Sequence, residues 1–232
     1  MLNQPLPKPT PFKQELGQNQ PLPEDGLYLF DKPKGISSFQ AVYILRRELK
    51  QKHGKKVKVG HCGTLDPIAT GLLILVSGKL TKRAGELTKK DKVYTATAKL
   101  GASSTTYDSE GELSEELSLD SNQQPSRAEL RQALQTFLGA SQQVPPIFSA
   151  LKVGGQRAYK LARTGQEVKL NPRPIEVYSI ELLEYSYPKL KFRVHVSSGT
   201  YIRSLIHDLG LSLGTGAHMT ELHRNSITPY HL

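Results

Sequence analysis

Apolar positions recur along this chain with two periods, and each period predicts its own kind of element. Gly26-Leu27-Tyr28-Leu29-Phe30 predicts a short strand, stopped by the turn Asp31-Lys32-Pro33-Lys34-Gly35. Ala41, Ile44, Leu45 and Leu49 then fall on one face of a helix that Ser37 or Ser38 caps. Leu72-Leu73-Ile74-Leu75-Val76 is unbroken, which predicts a central strand buried on both faces. A short basic helix is expected around Leu80 to Leu87. From Val93 to Leu100 the faces alternate and put Tyr94, Ala96, Ala98 and Leu100 together.

The second half of the chain is patterned as clearly. Ser103 to Gln124 is polar and acidic and predicts an exposed loop. Ser126 and Glu129 form a capping box for a helix over Arg127–Leu138, which Gly139 ends. Val144-Pro145-Pro146 is a rigid connector, Gly154-Gly155 a turn, and Ala158 to Arg163 a short helix. Ile175–Tyr185 and Leu190–Val196 predict two strands of a hairpin joined around Pro188. Gly199-Thr200 opens a helix through Leu209, and Gly210, Gly214 and Gly216 break the chain thereafter.

Strands and helices are mixed without strict βαβ alternation. That argues for an α+β fold, a mixed and largely antiparallel sheet with flanking helices. Residues 1–23 are rich in Pro and Gln and lack the apolar core of a signal peptide, so they are expected to be a disordered leader. Residues 24–232 are expected to form one catalytic domain. No apolar run approaches the roughly 18–20 residues needed to span a bilayer, so no membrane association is expected. The default expectation is a monomer, because no exposed apolar stripe beyond core requirements is evident.

Charge adds a partner to this picture. The chain carries 31 Lys and Arg against 21 Asp and Glu, a net +10, with an isoelectric point near 9.6. Such a surplus suits a polyanion, because basic patches neutralise phosphates and release counterions. The densest basic stretch is Arg46 to Lys58. One cysteine, Cys62, rules out a disulfide within the chain and a multi-cysteine zinc site. A free thiol also suits a reducing compartment, and the cytoplasm is expected.

Chemistry concentrates in Gly60-His61-Cys62-Gly63-Thr64-Leu65-Asp66-Pro67-Ile68-Ala69-Thr70-Gly71. Its glycines allow close backbone approach, and Pro67 stiffens the residue beside Asp66. A carboxylate in such a loop acts as nucleophile, general base or metal ligand; Asp before Pro is also a common turn residue. Metal chemistry has little support: there is no His-x-x-x-His pair, and His61 and Cys62 are adjacent rather than at chelating spacing. Position 68 is Ile where a phosphoaspartyl transferase needs a second carboxylate, and the loop lacks the Gly-Lys-Ser/Thr ending of a P-loop. Arg203 sits in the first turn of its helix, where it either pairs with a buried carboxylate or forms an ordinary surface ion pair. Tyr94 is either core packing or a stacking surface for a base.

Together these segments resemble the bacterial tRNA pseudouridine-55 synthase family, the TruB family of pseudouridine synthases. The resemblance runs from about Gly26 to Leu222. It rests on Asp31 to Ser38, on the Gly60–Gly71 loop, on Pro146 to Lys152, and on Gly199-Thr200-Tyr201-Ile202-Arg203, in that order along one chain. It implies the pseudouridine synthase catalytic fold and isomerisation of a uridine in the T arm of tRNA, with the base flipped into a pocket. It implies that Asp66 is the essential aspartate, that Tyr94 stacks on the target base, and that Arg203 pairs with Asp66. His61, Tyr201 and Leu222 match positions around the flipped nucleotide, and Lys32 and Lys152 are further candidates for substrate contact. No redox change or group transfer occurs in that reaction, so neither cofactor nor metal is expected. Many family members continue into a small C-terminal RNA-binding module, which is not expected in a chain stopping at Leu232. Two rivals are a catalytically silent RNA-binding protein on the same scaffold and a nucleoside glycosidase, which would need a paired second carboxylate.

Overall fold

The computed structural model describes residues 5–12, 21–164 and 168–232. By its contacts the chain forms two units, one of Met1–Val93 with His223–Leu232 and one of Tyr94–Leu222. In the first unit, β1 (Thr10–Phe12) pairs parallel with β2 (Leu27–Lys32). A strand here corrects the expectation of a wholly disordered leader. Phe12 is buried, with its ring 6.2 Å from that of Tyr28 and 5.5 Å from that of Phe30. Aromatic burial of this kind outweighs the low strand preference of the surrounding Pro-rich sequence.

Helix α1 (Ser38–His53) is capped by Ser37, one of the two serines that the sequence offers for this role. The Ser37 hydroxyl accepts from the Gln40 N–H while the Gln40 side chain accepts from the Ser37 N–H. The helix buries Ala41, Val42, Leu45 and Leu49 and stops at Gly54, whose φ of 66° suits glycine. β3 (Val59–His61) and β2 both run antiparallel to β4 (Thr70–Ser77). Leu72 to Val76 have no exposed surface, as the unbroken apolar run predicts. Leu72, Ile74 and Val76 share a core with Leu27, Cys62, Leu87 and Ile227. The span expected to be one basic helix is a 3-10 turn, Gly78–Arg83, followed by α2 (Ala84–Thr88).

β5 (Lys92–Leu100) leads into the second unit. There α3 (Arg127–Gln135) carries the expected Ser126–Glu129 capping box. β6 (Gly139–Gln143) follows where no strand was expected. Its sequence is Gly-Ala-Ser-Gln-Gln, without apolar alternation, and it pairs antiparallel with β9 (Arg173–Ser186). A small hairpin of β7 (Lys152–Val153) and β8 (Gln156–Arg157) turns at Gly154-Gly155, and α4 (Ala158–Arg163) comes next. β9 and β10 (Lys189–Val196) form the predicted hairpin, with Leu190, Phe192, Val194 and Val196 buried. α5 (Ile202–Ser212) is followed by β11 (Ala217–Ile227) and β12 (Tyr230–His231).

Strand order in the second unit is β11-β5-β10-β9-β6; in the first it is β1-β2-β4-β11. The β1–β2 and β4–β11 pairs are parallel, whereas β2–β4, β3–β4, β6–β9, β9–β10 and β11–β12 are antiparallel. This is the mixed, largely antiparallel α+β architecture that the sequence pattern predicts. No helix among the described residues is long and apolar enough to cross a membrane.

Gly210 does not end its helix but lies inside α5, because the following strand returns against it. A Cβ at this position would sit 2.2 Å from the Ala217 nitrogen. Gly210→Ala should therefore lower the melting temperature, by about 1–3 kcal/mol of overpacking strain. Helix preference alone would give the opposite sign, so thermal denaturation of this one variant separates the two effects.

Candidate active site

In the first unit the loop between β3 and β4 holds Asp66 by fixing the backbone on either side of it. The buried Ser38 hydroxyl donates to the Leu65 carbonyl at 2.9 Å and accepts from the Leu65 N–H at 2.8 Å. Gly35 donates its N–H to the Pro67 carbonyl at 2.8 Å, and the Asp66 carbonyl accepts from Ala69 at 3.0 Å to close a turn over Pro67. Leu65, Ile68 and Ala69 are buried while Asp66 itself is half-buried. His61, at the end of β3, is also half-buried.

Lys32 is not placed for substrate contact, contrary to expectation. It is fully buried, and its ammonium donates to the carbonyls of Pro33 at 2.9 Å, Ile36 at 2.8 Å and Pro67 at 3.4 Å. A buried ammonium requires such partners, and here they tie the Asp31–Ile36 turn to the loop beneath Asp66.

The sequence reading missed Arg224, on β11. Its side chain has no exposed surface; Nε donates to the Leu72 carbonyl at 2.7 Å and Nη2 to the Gly63 carbonyl at 3.0 Å. One guanidinium thus holds both ends of the Asp66 loop. Backbone pairing sets it there, with Arg224 opposite Gly71 and His223 opposite Thr70, whose hydroxyl hydrogen-bonds His223 Nδ1 at 2.9 Å. Gly71 makes this possible: its φ is 94°, and a Cβ would lie 2.4 Å from the Arg224 carbonyl oxygen. Burial, then the neighbouring Arg224 cation, pulls the Lys92 amine down to about 8. Burial pushes the Cys62 thiol up to about 12, so it is protonated at neutral pH.

In the second unit, Arg203 has a carboxylate partner that the sequence did not reveal. Its Nη1 lies 3.2 Å from Asp108 Oδ2, and both side chains are buried. Nη1 also donates to the Thr106 carbonyl and Nη2 to the Phe148 carbonyl, each at 3.0 Å. Asp108 accepts from the Thr106 hydroxyl at 2.5 Å and the Glu110 N–H at 3.0 Å through Oδ1. The stretch expected to be an exposed loop is thus pinned near its start. An Asp bonding the N–H two residues on is turn chemistry, which is the signal that Thr106-Tyr107-Asp108-Ser109-Glu110-Gly111 offered. Tyr107 takes a φ of 65°, unusual for its type, with its ring stacked on His207 at 3.9 Å between centroids. Burial raises the Tyr107 hydroxyl and lowers the His207 imidazole, so both rings are neutral at pH 7.

The other expected residues of this unit lie on four elements. Tyr94 is buried at the start of β5, and Leu222 is buried on β11. Tyr201 precedes α5, and the buried Gln143 grips it from both sides: Oε1 accepts from the Tyr201 N–H at 2.8 Å and Nε2 donates to its carbonyl at 3.0 Å. Tyr201 lines a cavity of about 340 Å³ with Leu151, Arg173, Pro174, Ser198 and Gly199. Lys152 is exposed on the small β7–β8 hairpin.

Known proteins share this chain's sequence over most of its length. The family model for TruB family pseudouridylate synthase (N terminal domain) matches residues 46–202, and that for the tRNA pseudouridylate synthase B C-terminal domain matches residues 203–232. The tRNA pseudouridine synthase B of Phocaeicola vulgatus is 44% identical over 205 residues, covering 88% of this chain and 86% of the relative. That of Bacteroides fragilis is 46% identical over 208 residues, covering 88% and 87%. Among solved structures, a chain of a Cbf5-Nop10-Gar1 complex superposes with a TM-score of 0.65 at 32% identity, covering 90% of this chain and 50% of that one. One from an H/ACA RNP bound to a substrate RNA containing 2'-deoxyuridine gives 0.62 at 30%, covering 90% and 49%. This chain spans about half the length of those two structural relatives.

Two measurements check the buried cations of the first unit. Arg224→Met orphans the Gly63 and Leu72 carbonyls, at about 1–3 kcal/mol each, and should speed amide exchange across residues 63–69 more than in the β9–β10 hairpin. For Lys92, the unfolded amine has its ordinary value of 10.5 against about 8 when folded, so the unfolded state binds more protons between those values. Stability from this group therefore rises with pH from about 8 to 10.5. The melting temperature of the native protein should gain on that of Lys92→Met through this window.

Proposed function

This chain belongs to the TruB family of pseudouridylate synthases, and we propose that it isomerises uridine 55 in the T arm of tRNA to pseudouridine, with Asp66 as the essential carboxylate. The observation that carries this reading is the way the Asp66 loop is held. Its backbone is fixed at Gly63, Leu65, Pro67 and Leu72, while the Asp66 side chain stays half-buried. A reacting group gains most from such fixing, because little motion remains to be frozen at the moment of reaction.

The reaction moves no electrons in or out of the substrate. The bond from N1 of the base to C1′ of the ribose breaks, the base turns, and C5 bonds to C1′. C5 then loses a proton and N1 gains one, so the product is an isomer. A uridine inside a folded T arm must first leave its stack, and its flipped base needs an aromatic surface. Tyr94 is that surface and the group that takes the C5 proton. Asp66 acts at the sugar as nucleophile or base. Arg203 pairs with the Asp66 carboxylate and keeps it ionised, and the Arg203–Asp108 pair supports this role by orienting the guanidinium. His61, Tyr201 and Leu222 wall in the flipped nucleotide, and the exposed Lys152 meets RNA phosphate. The basic surface of Arg46–Lys58 supports binding to a polyanion of this size. The enzyme acts as a monomer in the cytoplasm, where a free thiol such as that of Cys62 stays reduced.

Incubation of unmodified tRNA with the protein, followed by nuclease digestion, tests the assignment. Pseudouridine should appear at position 55 with the native protein and be absent with Asp66→Asn, which should still bind the tRNA. Equal product from both proteins would remove Asp66 from its role.

A further inference from the structure

The outward face of α1 carries the two most exposed aromatic rings among the described residues. Phe39 is 66% exposed and Tyr43 is 61% exposed. They are four residues apart, so they neighbour each other on one helix face, away from the buried Ala41, Val42, Leu45 and Leu49. At about 100° per residue, Lys50 continues the same stripe and Arg47 flanks it. Both cations are exposed. The helix contains one acid, Glu48, about half a turn round from Phe39, against Arg46, Arg47, Lys50 and Lys52. Rings with no role in the core, beside cations with few counter-charges, fit an unpaired nucleic-acid strand: bases stack on the rings and phosphates meet the cations.

The position of this stripe narrows the partner. Ser38, whose hydroxyl holds both backbone groups of Leu65 beside Asp66, immediately precedes Phe39. Phe39 therefore stands at the rim of the Asp66 loop. Tyr43 is about 6 Å further along the helix, and Lys50 lies about 16 Å beyond Phe39. We propose that the Phe39–Tyr43 face of α1 is a stacking platform for unpaired bases next to the nucleotide that enters the Asp66 site, with Arg47 and Lys50 on the adjoining phosphates. This rests on the reading of tRNA as substrate and adds residues that hold the RNA after its loop has been opened.

Binding of unmodified tRNA and of an isolated T-arm hairpin to paired variants of the full chain tests the proposal. Phe39→Ala with Tyr43→Ala, and Phe39→Leu with Tyr43→Leu, should each weaken binding of both RNAs about tenfold or more. Phe39→Tyr with Tyr43→Phe should bind like the native protein, because either ring stacks. The salt dependence of binding should be unchanged in the alanine pair, which releases no counterions, and should flatten in Lys50→Ala. Native affinity in the leucine pair would show that stacking is not the interaction and overturn the proposal. Native RNA affinity in the alanine pair, with or without lost binding to a protein, would also overturn it. Native protein that forms no pseudouridine in tRNA would instead fail the substrate assignment, a result visible before any variant is compared.

Discussion

A guanidinium without exposed surface holds the loop that carries Asp66. Arg224 reaches the carbonyls of Gly63 and Leu72, one before Asp66 and one after it. Burying an isolated cation is costly, and two carbonyl acceptors offset only part of that cost. The nearby Lys92 amine is pulled down to about 8, first by its own burial and then by the Arg224 cation. A lysine could not take the place of Arg224. Its single ammonium lacks the fixed fork that spans two acceptors on separate segments. The clamp also needs Gly71, because any larger residue opposite Arg224 would keep β4 and β11 apart.

The second unit uses a buried arginine differently. Arg203 pairs with a carboxylate, Asp108, and its remaining donors go to carbonyls of Thr106 and Phe148. Removing one partner of such a pair leaves an uncompensated charge, so the two residues stand or fall together. Charge balance thus fixes where a guanidinium is aimed, while carbonyl binding fixes where a loop lies. Both are ways of fixing groups in advance by geometry and electrostatics. The same economy extends to Tyr201, whose backbone is held by both ends of the Gln143 amide.

The elements legible in the sequence were those with a local cause. The serine cap of α1, the capping box at Ser126, the apolar run of β4 and the alternation of β9 and β10 each lie within a few residues. β11 escaped notice because it follows closely spaced glycines and reads Ala-His-Met-Thr-Glu-Leu-His-Arg-Asn-Ser-Ile. Its polar residues are satisfied by partners far away in the sequence, which no window of neighbours can show. Asp108 left a local turn signal inside a stretch of Ser, Thr and Glu, but its pairing with Arg203 joins residues far apart in the sequence. Lys32 misled in the other direction: a lysine in a turn is usually exposed, and this one is buried under three carbonyls. Asp66, Arg203 and Tyr94 each had an ordinary structural reading in the sequence, and it was the resemblance to a family that singled them out, whereas the residues that hold their surroundings are set by partners far along the chain.

The pairing of His223 and Arg224 with Thr70 and Gly71 is a statement about what evolution can do to this chain. Strand side chains alternate, so inserting or deleting one residue ahead of Arg224 in β11 would turn its side chain to the opposite face and leave the loop ends unheld. The exposed turn Asp120–Gln123 carries no such constraint of register, so a change of length there is tolerated far better. Between Ala217 and Arg224 lineages can exchange residues, but the count itself is inherited.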